Sequence, residues 1–400
     1  MGNRAWKRWV IASIVAVMVW GAGSSKAAEQ AQPKAFNSAV AFDVYAVVGD
    51  DDKGILAQSP WGDWIGRTPS ERALTIPPCR WWYVVPRSLV EDMEKVRQEV
   101  EAQGIPGLTL LPATDAGLER LKGLTGLRYL NLFNHSATQV TDAGLVHLKG
   151  LTGLEYLNLR GTQVTDAGLV NLKGLTALHE LNLGHTRVTD AGLEHLKGLR
   201  GLQTLDLSNT KVRGTGLEQA KGLMALRELN LTHTEVTDAS LKHLKGLPVL
   251  QRLYLGGTRV TGAGLRHLKG LAALQELDLG GAIHLTDGGL EQLKGMTHLQ
   301  GLYIDGTGVT DADLVNLKGL TALRRLDLSF TQVTDAGLEY LKGLTALQCL
   351  DLERTFIADG ALEHLKGLTA LEQLDLRGTW VTDVGVDRLK ESLPNVEVIR

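Results

Sequence analysis

The sequence predicts an α/β solenoid, in which one strand-plus-helix unit is stacked many times. Three observations support this fold class. The leucine pattern L-x-x-L-x-L recurs every 24 residues, apart from one spacing of 25 and a first spacing of 27. A segment close to V-T-D-A-G-L follows most copies of this pattern. The segment L-K-G-L closes most units. Such regularity is typical of repeat proteins, which grow by adding layers to one core. The units begin at Leu127, Leu154, Leu178, Leu202, Leu226, Leu250, Leu274, Leu299, Leu323, Leu347 and Leu371.

The strand of each unit follows from the alternation of its residues. In the segment LEYLNLR, Leu157 and Leu159 point inward, whereas Tyr156, Asn158 and Arg160 point to solvent. Strands of successive units then pair in parallel, about 4.8 Å apart.

A turn and a short helix complete the unit. Thr162 recurs after most strands and is expected to hydrogen-bond to backbone groups that stacking would otherwise bury. Thr165 is a suitable helix N-cap, and Asp166 lies where the helix dipole favours an anion. Lys173 complements the helix C-terminus, and Gly174 is expected to end the helix in a left-handed conformation.

The N-terminus has the features of a secretory signal peptide over residues 1–27. Basic residues precede the apolar stretch from Trp9 to Ala22, which is short for a membrane span. We predict cleavage after Ala27, which places the mature chain outside the cytoplasm, in the periplasm, the cell envelope or the medium, without a transmembrane segment. An uncleaved signal anchor is the alternative.

Three further regions are predicted in the mature chain. Residues 28–87 contain several Trp and Pro residues and have no assigned fold, apart from a strand over residues 39–48. Residues 88–110 form a capping helix, from Ser88 to Gly104, and a half repeat. Residues 111–400 form the solenoid of about 11–12 units. The two cysteines, Cys79 and Cys349, are predicted to be free thiols.

The repeat resembles the leucine-rich repeat family. The L-x-x-L-x-L strand and the VTDAGLxxLKGL segment carry the resemblance, which covers about three quarters of the chain. The units are most similar to short bacterial members of the cysteine-containing and ribonuclease-inhibitor-like subclasses, common in planctomycete-type genomes. The resemblance implies a curved right-handed solenoid with a parallel sheet on the concave face and helices on the convex face. Thr here replaces the family's usual Asn or Cys after the strand.

Composition and motifs exclude several function classes. The formal net charge of −3 provides no overall basic field, so no nucleic acid partner is expected. The sequence contains no P-loop, GxSxG, HExxH or CxxC motif, so we predict no enzyme activity, no cofactor and no metal. Of the histidines that precede Leu-Lys-Gly, only His243 and His267 fall in adjacent units, which disfavours a shared metal ion.

Residues that stacking does not explain are the candidate ligand-binding residues. Most lie in a column between the two inward leucines of each strand, predicted to face solvent on the concave side. Aromatic residues there can anchor a ligand. Carboxylates dominate its C-terminal half and would repel one another unless Arg325, Arg377, counter-ions or a basic ligand compensate them, or they are simply solvated. The candidates are Tyr129, Asn131, Phe133, Tyr156, Asn158, Arg160, Asp206, Tyr254, Asp278, Tyr303, Asp327, Asp351 and Asp375.

These features favour a non-enzymatic, extracytoplasmic binding module that recognises a protein or peptide on its concave face. One alternative is a structural cell-envelope or polysaccharide-binding protein that uses the Trp-rich N-terminal region. Another is an effector or ubiquitin-ligase-like substrate receptor. Units that break the pattern, at the insertion near Phe133, at residues 211–220, at residues 280–285 and at residues 355–361, are further candidate sites.

Overall fold

The computed structural model describes residues 34–38, 40–47, 63–69, 73–76, 81–86, 93–133, 139–282, 285 and 288–400. The predicted signal peptide, the Ser88 cap and Cys79 lie outside these residues. The chain divides into two compact units. Unit 1 consists of Met1–Val188 and Gly198–Asp206, and unit 2 of Thr189–Lys197 and Leu207–Arg400.

Unit 1 joins part of the N-terminal region to the first repeats in one sheet. Strand β2 pairs antiparallel with β3 and β5, β5 pairs parallel with β6, and β6 to β10 then pair parallel in chain order. Strands β1 and β4 form a separate antiparallel pair. The strands are β1 Lys34–Phe36, β2 Phe42–Val47, β3 Asp63–Arg67, β4 Leu74–Ile76, β5 Trp81–Pro86, β6 Gly107–Thr109, β7 Tyr129–Asn131, β8 Tyr156–Asn158, β9 Glu180–Asn182 and β10 Thr204–Asp206.

Unit 2 repeats one strand per layer. Neighbouring strands pair in parallel and in chain order. The leucine at the centre of each strand lies opposite the central leucine of the next strand, and in the last strand Val398 takes this position. The strands are β11 Glu228–Asn230, β12 Arg252–Tyr254, β13 Glu276–Asp278, β14 Gly301–Tyr303, β15 Arg325–Asp327, β16 Cys349–Asp351, β17 Gln373–Asp375 and β18 Glu397–Ile399.

Short helices return the chain from one strand to the next. Several consist of one α turn that continues as a 3-10 turn, and others are 3-10 throughout. The α-helices are α1 Met93–Gln103, α2 Asp115–Glu119, α3 Asp142–Leu145, α4 Asp166–Leu169, α5 Asp238–Leu241, α6 Asp311–Leu314, α7 Asp335–Leu338 and α8 Asp383–Ser392. The 3-10 turns are Val146–Leu148, Val170–Leu172, Asp190–Leu196, Thr215–Gly222, Lys242–Gly246, Gly262–Gly270, Gly289–Leu293, Val315–Leu317, Glu339–Leu341 and Asp359–His364.

The leucines of the repeat form the core, as the pattern predicts. Leu154, Leu157, Leu159, Leu169 and Leu172 are all fully buried. A buried leucine side chain contributes about 1.5–3 kcal/mol relative to an exposed one, so each layer is held mainly by its leucines.

The threonine after each strand bonds to its own turn. The Thr162 hydroxyl donates a hydrogen bond of 2.7 Å to the Leu159 carbonyl, and the same bond recurs at 2.6 Å in layers such as that of Thr258. The prediction for this column is confirmed. The prediction of a left-handed Gly174 is wrong, because this residue has no positive φ, whereas Gly161, just before Thr162, has a φ of 74°.

An aspartate at the start of most repeat helices connects successive layers. The Asp142 carboxylate accepts hydrogen bonds from the Thr165 backbone N–H at 2.8 Å and from the Thr165 hydroxyl at 2.6 Å. Thr165 in turn caps its own helix by accepting a hydrogen bond from the Ala167 N–H. A Cβ atom on Gly168 would overlap the Asp142 carboxylate, which explains why glycine stands at this helix position in most layers.

In the described residues, two layers carry glycine at the aspartate position, Gly214 and Gly262, and the first of them is compensated in the next layer. Gly214 stands at the aspartate position of its layer, and Ser240 stands at the glycine position of the following layer. The Ser240 hydroxyl donates a hydrogen bond of 2.9 Å to the Arg213 carbonyl. A Cβ on Gly214 would overlap the Ser240 side chain, so the bulky and small residues have exchanged places. This break in the pattern at residues 211–220 is therefore structural.

Candidate functional site

We call the outward surface of the repeat strands in each unit the strand face. Its central row is the column of Asn, Asp and Tyr residues between the two inward leucines. The prediction that the Asn and Asp members face solvent is wrong for most of them. Buried members are Asn131, Asn158, Asn182, Asp206, Asn230, Asp327, Asp351 and Asp375, each at most 7% exposed.

These buried side chains shape the turn that follows each strand. Asn158 Oδ1 accepts a hydrogen bond of 2.9 Å from the Arg160 N–H, two residues further on. Asn131 does the same with Phe133 N at 3.0 Å, and Asp351 with Glu353 N at 2.8 Å. Asn and Asp side chains favour this local bond, so the column has a structural role in every layer where it occurs.

Four stacked tyrosines cover the strand face of unit 1. Ring centroids are 5.3 Å apart for Tyr45–Tyr83, 4.8 Å for Tyr83–Tyr129 and 4.4 Å for Tyr129–Tyr156, with interplanar angles of 10–18°. Tyr83 and Tyr129 come from strands on either side of Gly107, which has no side chain to separate them. Burial raises the pKa of all four phenols, so they are neutral hydrogen-bonding and stacking groups.

Three candidates in unit 1 are half-buried, and one of them, Tyr156, belongs to this stack. Tyr156 is half-buried, and its hydroxyl accepts a hydrogen bond of 3.4 Å from Asn158 Nδ2. Arg160 Nη1 lies 3.6 Å from Asp206 Oδ2, two strands away. Phe133 is half-buried, and the insertion that follows it, residues 134–138, lies outside the described residues. Tyr156, Phe133 and Arg160 therefore retain surface that a ligand can contact.

The strand face of unit 2 carries two buried ion pairs. Arg252 Nε donates to Glu228 Oε2 at 2.8 Å, and Arg325 Nη2 donates to Glu276 Oε1 at 2.6 Å. The second pair spans Gly301, where a side chain would crowd Glu276, since a Cβ atom there would lie 3.3 Å from Glu276 Cγ. Both glutamates are at most 4% exposed. Partners this close offset much of the penalty of burying their charges.

Three half-exposed side chains lie beside these ion pairs. Tyr254, Asp278 and Tyr303 occupy directly opposed positions on β12, β13 and β14. All three are half-buried, unlike the Asn and Asp residues of the same row in neighbouring layers. Since adjacent strands lie about 4.8 Å apart, the carboxylate stands between two phenol side chains. We call this set the Tyr–Asp–Tyr patch.

Buried carboxylates follow the patch. Burial raises the pKa of Asp327 to about 7, and repulsion from Asp305 adds to the effect. Burial likewise raises the pKa of Asp351 to about 9, followed by repulsion from Asp327. Asp375, in the layer after Asp351, is paired with Arg377, whose Nη2 lies 2.7 Å from its Oδ2. Asp327 and Asp351 can thus hold protons at neutral pH, which relieves the repulsion expected from the sequence.

A profile of the leucine-rich repeat region family matches residues 108–360. This chain belongs to the leucine-rich repeat family. An internalin (inlF) from Listeria monocytogenes is similar in structure, with 23% identity and a TM-score of 0.53 over 76% of this chain and 88% of that protein. A leucine-rich repeat protein from Leptospira interrogans shows 19% identity and a TM-score of 0.42 over 78% of this chain and 93% of that one. No curated protein matches in sequence.

The predicted fold class is confirmed: this leucine-rich repeat protein has a parallel repeat sheet with short helices behind it. The assignment to a subclass and the planctomycete origin stay predictions. Within the described part of the chain, none of the helices combines the length and apolar character needed to span a membrane. The same residues include no cluster of three or more His, Cys, Asp or Glu side chains suited to a metal ion.

Two features of this leucine-rich repeat site could not be predicted from the repeat pattern. Tyr45 and Tyr83 precede the repeats, so the pattern gave no reason to place them beside Tyr129. Glu276 and Arg325 lie two layers apart, and in the sequence only Gly301, in the layer between them, indicates that the two side chains could form an ion pair. A glycine in place of a polar residue on the strand face is the signal that could have found this pair.

Proposed function

We propose that this protein is a non-catalytic binding module that acts outside the cytoplasm and holds a protein or peptide ligand on its strand face. Leucine-rich repeat proteins commonly mediate protein–protein binding. The observation that carries the proposal is the Tyr–Asp–Tyr patch in unit 2, because its side chains remain accessible where most of the row is buried. Tyrosines are among the residues that contribute most to binding at protein interfaces.

The chemistry of the patch favours a basic side chain of the ligand. Asp278 supplies a carboxylate, and Tyr254 and Tyr303 supply aromatic faces on the adjoining strands. A lysine or arginine placed there gains both an ion pair and a cation–π interaction. The nearby Glu228 and Glu276 are each paired with an arginine, so they add little net charge to the patch.

The N-terminal sequence supports the proposed location. Basic residues, an apolar stretch and small residues before Ala28 follow the order of a secretory signal. On this proposal the mature chain meets its ligand in the periplasm, in the envelope or outside the cell.

Site-specific photo-crosslinking tests the proposal in the full chain. A benzophenone amino acid replaces Tyr254 or Tyr303, and a matched variant carries it at Val315, an exposed position on a 3-10 turn of the same unit. We expect protein adducts at positions 254 and 303 after irradiation of cells that make the protein, and none at position 315. The substitution Asp278→Asn should reduce the adduct at position 303.

Two outcomes would contradict the proposal. Equal adducts at all three positions would indicate no preference for the strand face. A lack of protein adducts, together with retention of the chain on envelope polysaccharide, would favour a structural envelope protein instead.

A further inference from the structure

An exposed group of aromatic residues lies away from the strand face, on the turns that follow β15, β16 and β17. Phe330 is 41% exposed, Phe356 48% and Trp380 67%. The Phe356 and Trp380 rings lie 5.8 Å apart and are inclined by 57°, which forms an open wedge. Arg354 lies over the Phe330 ring, 5.3 Å from its centroid. We call these four residues the aromatic edge.

Stacking of the layers does not require these side chains. Phe330 and Arg354 occupy the position just before the turn threonine, where their φ angles are 56° and 53°. Large side chains are unfavourable in this left-handed conformation, and glycine, histidine or asparagine occupies the position in other layers. The equivalent residues are Gly161, His185, Asn209, His233, Gly257, Gly306 and Gly378.

The position just after the turn threonine shows the same contrast. Polar residues stand there in most other layers, whereas this end of unit 2 carries Phe356 and Trp380. Phe356 and Trp380 keep about half or more of their surface exposed to water. Adjacent exposed aromatic side chains of this kind are typical of interaction surfaces.

The charge at the aromatic edge indicates what its partner carries. The Arg354 side chain is 67% exposed, and its Nε is 4.0 Å from Glu353 Oε1. Glu353 is bound more closely by Arg377, at 2.8 Å. The Arg354 guanidinium, which lies over the Phe330 ring, can therefore donate two hydrogen bonds to a carboxylate from outside the molecule.

We propose that Phe330, Arg354, Phe356 and Trp380 form a second binding surface, which docks a peptide segment with a carboxylate beside an aromatic or aliphatic side chain. The wedge between Phe356 and Trp380 takes the apolar side chain, and Arg354 takes the carboxylate. This surface is independent of the Tyr–Asp–Tyr patch, so it can hold a second partner or a second part of one partner.

Selection from a phage-displayed library of random peptides against the full chain tests the proposal. We expect the selected peptides to share Asp or Glu within a few residues of an aromatic residue or leucine. Synthetic copies should bind Trp380→Ala and Arg354→Glu at least about tenfold more weakly than the unchanged chain. A copy in which lysine replaces the acid should bind Arg354→Glu better than it binds the unchanged chain.

Two variants separate binding from folding. Phe330→Gly should unfold at the same or a higher denaturant concentration, because glycine adopts a positive φ without strain, yet it should bind the peptides more weakly. Gln332→Ala changes the residue equivalent to Phe356 one layer earlier and should bind like the unchanged chain. Selection of no acidic, apolar peptides would overturn the proposal. So would equal affinity for Trp380→Ala, or binding of a soluble polysaccharide in place of peptides.

Discussion

The carboxylate of Asp311 accepts two hydrogen bonds from Thr334 in the next layer, one from its backbone N–H at 2.8 Å and one from its hydroxyl at 2.6 Å. Thr334 also caps helix α7, so the aspartate of one layer positions the helix of the next. Equivalent bonds join Asp115 to Thr141 and Asp359 to Thr382. The recurring Thr-Asp pair therefore connects the layers as well as capping helices.

Asp311→Ala should lower the free energy of unfolding by about 1–3 kcal/mol, because it removes two hydrogen bonds to a charged acceptor and leaves their donors without this partner. Urea unfolding followed by circular dichroism measures the change. The matched control is Glu339→Ala, an exposed acid on the helix side of the same unit, which should stay within about 0.5 kcal/mol. Equal effects of the two substitutions would show that the bonds to Thr334 contribute nothing specific.

Gly337→Ser should destabilise the fold, since a Cβ at Gly337 would overlap the Asp311 carboxylate. Combining it with Asp311→Gly reproduces the arrangement of Gly214 and Ser240, so the double variant should be more stable than the sum of the two single changes predicts. A double-mutant cycle by urea unfolding should give a coupling energy of about 1–3 kcal/mol. Strict additivity would contradict the proposed compensation.

Gly107→Ala should destabilise unit 1 by about 1–3 kcal/mol, as overpacking does in a closely packed core. The new Cβ would lie 2.5 Å from Tyr83 Cβ and 2.7 Å from the Trp82 carbonyl oxygen, and it would push Tyr83 away from Tyr129. Near-ultraviolet circular dichroism should report the disturbed tyrosines. Gly126→Ala, where a Cβ would meet no atom within 4 Å, is the control and should leave both stability and spectrum unchanged.

Asp351→Asn should raise stability at alkaline pH. The Asp351 pKa is about 9 in the folded chain, against about 3.9 when unfolded, so the protonated carboxyl stabilises the fold and this contribution is lost as the pH rises towards 9. Asparagine keeps the acceptor for the Glu353 N–H and cannot ionise. The variant should gain about 1–3 kcal/mol at pH 8 and little at pH 4.

The control for that experiment is Asp375→Asn in the next layer. Asp375 is paired with Arg377, so loss of its charge should give no gain at pH 8. Urea unfolding between pH 4 and pH 9 measures both variants. If the stability of Asp351→Asn fell with pH as steeply as that of the unchanged chain, Asp351 would not be the group that holds the proton.

Much of the fold followed from periodicity. Leu157, Leu159 and Thr162 behave as their spacing predicts, because strand alternation and a repeated turn leave few alternative positions for them. The bond from Asp142 to Thr165 could not be foreseen from one unit, since it depends on how far each layer is displaced from the last. A helix aspartate serves equally well as a dipole partner, and only the neighbouring layer distinguishes the two roles.

The candidate site was predicted less well. Alternation correctly put Asn158 and Asp351 on the outward side of the strand, but it could not show that their side chains fold back onto the backbone. Tyr254 and Tyr303 cannot make that bond and remain partly exposed, although the Tyr303 hydroxyl itself is buried. The aromatic edge was missed because Phe330 and Trp380 stand at turn positions that the leucine pattern leaves unspecified.

The ion pair between Glu276 and Arg325 limits how this array can change its length. Removing the single unit that contains Gly301 would bring the two charged strands into direct contact, and duplicating it would move them beyond reach of each other. Glu228 and Arg252 already form such a pair on adjacent strands, so only an insertion between the two strands separates the charges. Anyone who extends this solenoid should insert new layers outside the segment from residue 276 to residue 325.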